Sequence, residues 1–498
     1  MRNAKSHVAL RNTLRSTLRN TGRKASTEAV VVGSGPNGLA AALTLAEQGL
    51  HVRVLEAAST IGGGTRSAEL TLPGLIHDQC SAFHPLGLAS PFMRTRRAEL
   101  ERHGLKWLWP EIQIAHPLDD SRAALLWREL DRTAECLGAD GQAWRRTFAW
   151  ATDSFDGLSE DVLRPLFHRP RHPLGVLRLG ASGILPASLL ARRWRTEEAR
   201  ALFAGIAAHG FNRFDLPLSS SVGIYLGAAA HAHGWPVAEG GSHAISLAMV
   251  SMIESLGGEV ITDNHVRRIS ELGSPSLVML DTSPSAAMEI VGDDLPERTT
   301  RTYRRFRHGP GAFKLDLAIN GPIPWSNEMV GRAGTVHLGG TLEEIAVSER
   351  MALDGQMSES PFTLVGQQYV ADPSRSSGSI NPVWAYAHVP AAHEGDVTEV
   401  VLDQIERFAP GFRSRIVSTV AQGPADLTSS NPNYIGGDIA GGSSDYRQLL
   451  TRPGRIISPY DTGAEGVFLC SASTPPGAGV HGMCGHNAAV AALRSLGI

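Results

Sequence analysis

The stretch Ala29-Val30-Val31-Val32-Gly33-Ser34-Gly35-Pro36-Asn37-Gly38, followed by the alanine- and leucine-rich run 39–48, decides the fold of this chain. Ala29–Val32 is a short β-branched run, as expected of a strand buried on both faces. A lone G-x-G-x-x-G is a weak signal; between a strand and a helix it is a dinucleotide fingerprint. Gly33 permits the tight turn, Gly35 brings the backbone up to a pyrophosphate, and Gly38 lets helix and strand pack closely. Pro36 suits the first helical turn, where its missing N–H is not needed, and the free amides of that turn face the phosphates. Gly49 ends the helix, and 52–55 is predicted as the second strand. Glu56 closes it where an acid accepts ribose hydroxyls and disfavours a 2′-phosphate.

Working outward, Gly62-Gly63-Gly64-Thr65-Arg66 follows almost at once. Three glycines expose amides as an anion-binding concavity, and Arg66 is suited to a phosphate. A nicotinamide-only domain has no need of this second element, so the expected cofactor is FAD. Near the other end, Val467–Cys470 reads as a strand and Ser471–Gly479 as a Gly/Pro-rich turn. The helix that follows, from about Val480 to Leu496, presents a second N-terminus, suited to the flavin edge that gains negative charge on reduction. Between them, 244–256 reads as a helix, and 259–262, 266–269 and 277–280 as strands. The strand candidates of 299–415 are 313–319, 335–338, 362–369 and 383–388; the Gly/Ser-rich 436–444 is read as a mobile loop.

The 498 residues exceed what one core holds, so at least two domains are expected. A net charge of −3 gives no electrostatic reason to bind nucleic acid, and no long apolar run supports a transmembrane helix. Cys80, Cys136, Cys470 and Cys484 contain no C-x-x-C pair, which argues against a redox dithiol and fits a reducing compartment. Residues 1–27 hold seven Lys and Arg and no acid. They read either as a disordered basic extension or as an organelle transit peptide. The expected location is cytoplasmic, with the mitochondrial matrix or a membrane surface as alternatives.

The run 33–66, Gly234-Trp235-Pro236-Val237-Ala238-Glu239-Gly240-Gly241-Ser242 and the run 469–482 together resemble the phytoene desaturase (dehydrogenase) family of flavoproteins. Gly309–Lys314, Trp384–Pro390 and Ser471–Gly477 are most similar to its branch typified by pyridine nucleotide-disulfide oxidoreductase domain-containing protein 2. The resemblance implies an α/β fold: a discontinuous Rossmann-type FAD-binding domain, as in amine oxidases and phytoene desaturases, with an α+β substrate domain. The implied segments are 28–100, 234–298 and 416–498 for FAD, and 101–233 and 299–415 for substrate. It also implies that the Val266 backbone meets the adenine, and that Ser471, Val480 and His481 lie by the flavin. Amine oxidases of this fold carry a lysine near flavin N5; the corresponding run 281–298 has none, and Gly479–Gly482 replaces their aromatic cage residue.

Alternation puts Trp384, Tyr386 and His388 on one strand face, either lining a cavity or packing a half-buried strand. His481 is a candidate to donate a hydrogen bond, move a proton or cap a helix; His84 and Trp235 are weaker candidates. Lys314, between Phe313 and Leu315, reads as a solvated strand lysine. No spacing marks a metal site. The run 162–196 is acid-free, rich in arginine and interleaved with leucine. It is a helical hairpin over the substrate domain or a face for an anionic membrane. The expected activity is an FAD-dependent oxidoreductase taking a hydride from a largely apolar small molecule. With no second fingerprint, electrons pass to oxygen, a quinone or a carrier. The alternatives are a membrane-associated carotenoid or isoprenoid desaturase and a flavin-bound interaction protein.

Overall fold

A computed structural model describes residues 28–165, 167–454 and 457–498; the basic run 1–27 lies outside them. Five short parallel strands form the first sheet: β1 (Glu28–Val32), β2 (His51–Leu55), β3 (Glu259–Ile261), β4 (Leu277–Leu280) and β5 (Val467–Leu469), in spatial order β5-β4-β1-β2-β3. Both faces are covered, which is why β1 and β4 read as unbroken apolar runs. Ala29 and Val31 join the core beneath helix α1 (Pro36–Glu47), while Val30 and Val32 face a second core with Ala287, Ile290 and Leu295.

Helix α1 crosses the C-terminal helix Met483–Ser495 at very short range. A Cβ on Gly485 would collide with the carbonyl oxygen of Asn37, so only glycine allows the crossing. That helix starts at Met483 rather than near Val480, which leaves Val480 and His481 in the turn before it. Residues 266–269 form no strand; Val266 sits buried in irregular chain leading to a short 3₁₀ turn.

The second sheet has seven strands, in the order 416–422, 311–320, 380–389, 363–366, 333–338, 112–117 and 123–126. The strand Ile416–Gln422, placed by sequence with the FAD segments, pairs instead with Lys314–Ile319 in this sheet. One face, with Leu315, Leu317, Val383 and Ala385, packs on Val401, Ile405 and Phe408 of the helix Thr398–Phe408. The other face carries Thr335, Leu364, Trp384 and Tyr386 towards a cavity roofed by helices. The run 436–444 is tied down rather than loose: the buried Asp438 carboxylate accepts the amides of Gly309, Ala440 and Gly442.

Fully buried Arg375, in the chain between the second-sheet strands 363–366 and 380–389, ties that sheet to the two-stranded ribbons that hold Asp78 and Ala238. Its guanidinium pairs with Asp78 at 2.5 Å and Asp372 at 3.0 Å, and donates to the Ala238 carbonyl. Burial alone would raise the Asp78 carboxyl, but Arg375 and the donors Ser242 and Ser67 outweigh it and hold it below the usual range.

Candidate functional site

The two glycine-rich loops lie against each other. Gly33, at φ +99°, turns the chain out of β1, and a Cβ on Gly38 would strike the Gly33 carbonyl oxygen. Gly63, in the 3₁₀ turn Gly63–Thr65, sits so close that its Cβ would be 3.1 Å from the Gly35 Cα. Ser34 stitches them together: its hydroxyl donates to Glu56 Oε2 at 2.6 Å and accepts the Gly62 amide at 3.1 Å. Glu56 thus also takes the amides of Ser34 and Ala58, and its carbonyl holds the chain before Val266 through Asn264.

Not every polar group of the loops points outward. The Thr65 hydroxyl is spent on the Gly62 carbonyl and on Ser246. Arg66 donates to the carbonyls of Gly63 and Ser430, tying the loop to the C-terminal third.

Asp281, at the end of β4, went unnoticed in the sequence. Its Oδ2 accepts the Gly38 amide at 2.9 Å and would lie 2.6 Å from a Cβ on Gly35. Burial pushes its carboxyl up to about 7; the nearby Glu56 adds to the rise and the Gly38 amide opposes it. A carboxyl drawn toward neutrality is compatible with a phosphate beside the same helix terminus.

From these loops a cavity of about 660 Å³ runs under the second sheet. Pro36, Asn37 and Gly64 form one end, Gly477–His481 another, and Trp235, Trp384 and Tyr386 part of the wall. His84 is on the wall too, with its Nε2 2.8 Å from the Ser242 hydroxyl. Ser471, just after β5, is buried and accepts the Ser473 amide on its hydroxyl.

His481 is both cap and lining: its Nδ1 accepts the Met483 amide at 3.0 Å, which puts the ring proton on Nε2. Nε2 is buried without a partner among the described residues, and burial pushes the imidazole down to about 4. The Tyr386 phenol is raised well above its ordinary range by burial, so it remains a donor. Trp384, Tyr386 and His388 do share a face, yet His388 stands behind Phe211, stacked on it at 3.8 Å, and bonds Glu349 at 2.6 Å. Phe211, His209 and Tyr434, which the sequence left unmarked, also line the cavity.

Lys314 is not solvated. It is 3% exposed, faces the same way as its cross-strand partner Tyr386, and pairs with Asp316 two residues on. The expectation failed because its strand lies inside a sheet covered on both faces. His77 Nδ1 stands 3.4 Å from the other Asp316 oxygen, also fully buried. Among the described residues no His, Cys, Asp or Glu cluster is arranged to hold a metal ion.

Residues 31–93 match the model of the NAD(P)-binding Rossmann-like domain. The chain is 24% identical to pyridine nucleotide-disulfide oxidoreductase domain-containing protein 2 of Mus musculus, over 95% of this chain and 94% of that protein. It is 27% identical to the hydroxyneurosporene desaturase of Cereibacter sphaeroides, over 50% of this chain and 52% of the desaturase. An oxidoreductase structure from Methanosarcina mazei superposes with a TM-score of 0.61 at 15% identity, covering 94% of this chain and 100% of that one. A putrescine oxidase superposes with 0.58 at 17%, covering 95% and 99%. These findings bear out the resemblance drawn from the motifs, the α/β fold class and the oxidoreductase assignment.

Proposed function

We propose that this dinucleotide-binding oxidoreductase works as amine oxidases and desaturases do, holding FAD and a largely apolar organic molecule that gives up a hydride from a C–H bond. The observation that carries this reading is the single cavity of about 660 Å³ joining the glycine loops, the Gly477–His481 turn and an aromatic wall. The residues fit a flavin dinucleotide. The loop amides would face a pyrophosphate, Glu56 would meet the ribose, and Asn37 Oδ1 and His481 Nε2, without partners among the described residues, line the cavity. When bound, FAD supplies the two-electron acceptor.

The chain's own residues then bind, orient and exclude water. Trp235, Phe211, Trp384 and Tyr386 clasp an apolar substrate and keep the site dry. His481, neutral at working pH, offers the Nε2 proton as a donor to an electron-rich ring edge without carrying charge. Tyr386, likewise protonated, donates and does not act as a base.

The test begins with the absorption spectrum of the purified protein and identification of the nucleotide released on denaturation. Released FAD, followed by anaerobic bleaching with an apolar substrate, is the expected result. Colourless protein that refuses added FAD, or rapid bleaching by NADPH alone, would overturn the reading.

A further inference from the structure

Five of the large apolar side chains that stand exposed fall within one short segment: Phe167, Leu174, Leu177, Ile184 and Leu189. Leu174 is 81% exposed, Leu177 70% and Phe167 67%. The helix Pro173–Gly183 places Leu174 and Leu177 three residues apart, and Ile184 follows seven residues later on the same line. Its opposite side is engaged: Val176 and Leu179 line the cavity, and Gly183 rests on Ser221 of the helix Ser219–His233. The element is apolar on both sides, yet only one side has anything to pack against.

The exposed stripe is not a loose flap. Buried Asp161 accepts the amides of Arg171 and His172 at 2.9 and 2.7 Å, fixing the chain just before the helix. A helix of eleven residues is about 16 Å long, well short of the ~30 Å hydrocarbon core of a bilayer. It meets the helical run Ala187–Arg193 at 94°. Among the described residues no single helix is long and apolar enough to cross a membrane, and the bend gives this pair a shape suited to lying along one.

The charges carried by the stripe's own segment are of one sign. Residues 162–196 contain no acid, and Arg169, Arg178, Arg192, Arg193 and Arg195 are exposed. Among the described residues none of these five has an ion-pair partner, whereas Arg171 is taken by Glu160. An apolar stripe rimmed by uncompensated guanidinium groups is complementary to acyl chains beneath anionic headgroups.

We propose that the segment 167–193 is a monotopic docking surface for an anionic lipid bilayer, which sets the Val176 and Leu179 wall of the cavity against the membrane so that an apolar substrate passes from the lipid to the site without crossing water. The route for substrate rests on the cavity reading above; the lipid contact itself does not.

Vesicle flotation of the full chain tests the contact without any turnover. The probes are phosphatidylcholine vesicles with and without phosphatidylserine. The variants are L174S/L177S/I184S and R192S/R193S, all at exposed positions, with the thermal midpoint and FAD content read alongside to show that the fold is intact. The wild type is expected to float with both vesicles and more strongly with the anionic ones. The leucine variant should lose flotation on neutral vesicles. The arginine variant should keep it there, and lose affinity for anionic vesicles by roughly fivefold per residue. The basic residues 1–27 are common to every protein tested, so differences between variants read the hairpin. A wild type that stays down with both vesicles overturns the proposal, as does a leucine variant that floats like the wild type. So does a wild-type dimer that the leucine substitutions dissolve, which assigns the stripe to a second copy of the chain. If flotation fails while FAD and substrate bleaching stand, the catalytic reading survives alone.

Discussion

The glycine loops and the cavity wall are built on opposite principles. The loops lie within 34 residues of sequence, from Gly33 to Arg66, and act through backbone amides held in tight turns. The wall is made, and backed from behind, by side chains that meet only after segments from far apart in the chain have come together: Lys314 opposite Tyr386, Tyr386 opposite Leu364, Phe211 stacked over His388. A site of the first kind is written locally, because glycine spacing dictates where the backbone turns. A site of the second kind exists only once the sheet register is set, since one residue of slip sends each of the strand side chains among these to the other face.

The sharpest way to break this division is at the joint between its halves. Arg375→Met leaves Asp78 and Asp372 buried without their cation, and is expected to cost about 3–5 kcal/mol. Urea unfolding followed by tryptophan fluorescence measures it; a loss under about 1 kcal/mol would show that the two carboxylates are satisfied otherwise. Because the Asp78 carboxyl is held low, its contribution is present above the ordinary carboxylate range and is lost as pH falls through its lowered value. Wild type and variant should therefore converge in strong acid.

Asp281 tests the loop side, with a smaller and pH-dependent effect. Its folded value of about 7 lies above the ordinary 3.8. The favourable contribution is thus full below about 4 and lost as pH rises through 7, to a total on the order of 4 kcal/mol. Buried histidines run the other way: His84, His116, His231, His481 and His486 are pushed down to about 4 and His209 to about 3. Several such groups outweigh one carboxyl, so nucleotide-free wild type should gain stability from pH 4 to 6.5. Asp281→Asn should gain it more steeply. Equal slopes in the two proteins would mean that Asp281 is already ionised against Gly38.

The legibility of the sequence followed the same line. The first strand, α1, Glu56, the second glycine loop and β4 were readable because periodicity and glycine placement act over a few residues. Asp281 escaped because nothing local distinguishes it from any strand-ending acid; what singles it out is its packing on Gly35 and Gly38, some 240 residues earlier. The late start of the last helix had the same root: His481 caps it from the turn, and a cap is defined by a hydrogen bond rather than by composition. Strand alternation correctly put Trp384, Tyr386 and His388 on one face but could not foresee that Phe211 covers the last of them.

Lys314 and Asp316 allow the smallest but most discriminating prediction. Both are buried on the cavity side of the sheet. A buried ion pair contributes little net stability, since desolvation of two charges cancels most of their attraction. The double variant Lys314→Met/Asp316→Leu is therefore expected within about 1 kcal/mol of the wild type. Asp316→Leu alone, which strands the ammonium, should cost roughly 3–5 kcal/mol. If the double variant unfolds easily, the pair is part of what holds the sheet and the wall is structural first. If it stays folded and binds FAD but bleaches more slowly with substrate, a charged pair has been kept in a costly place for the chemistry next to it. The wall would then be, like the loops, a site in its own right, but one specified by strand register instead of by glycine spacing.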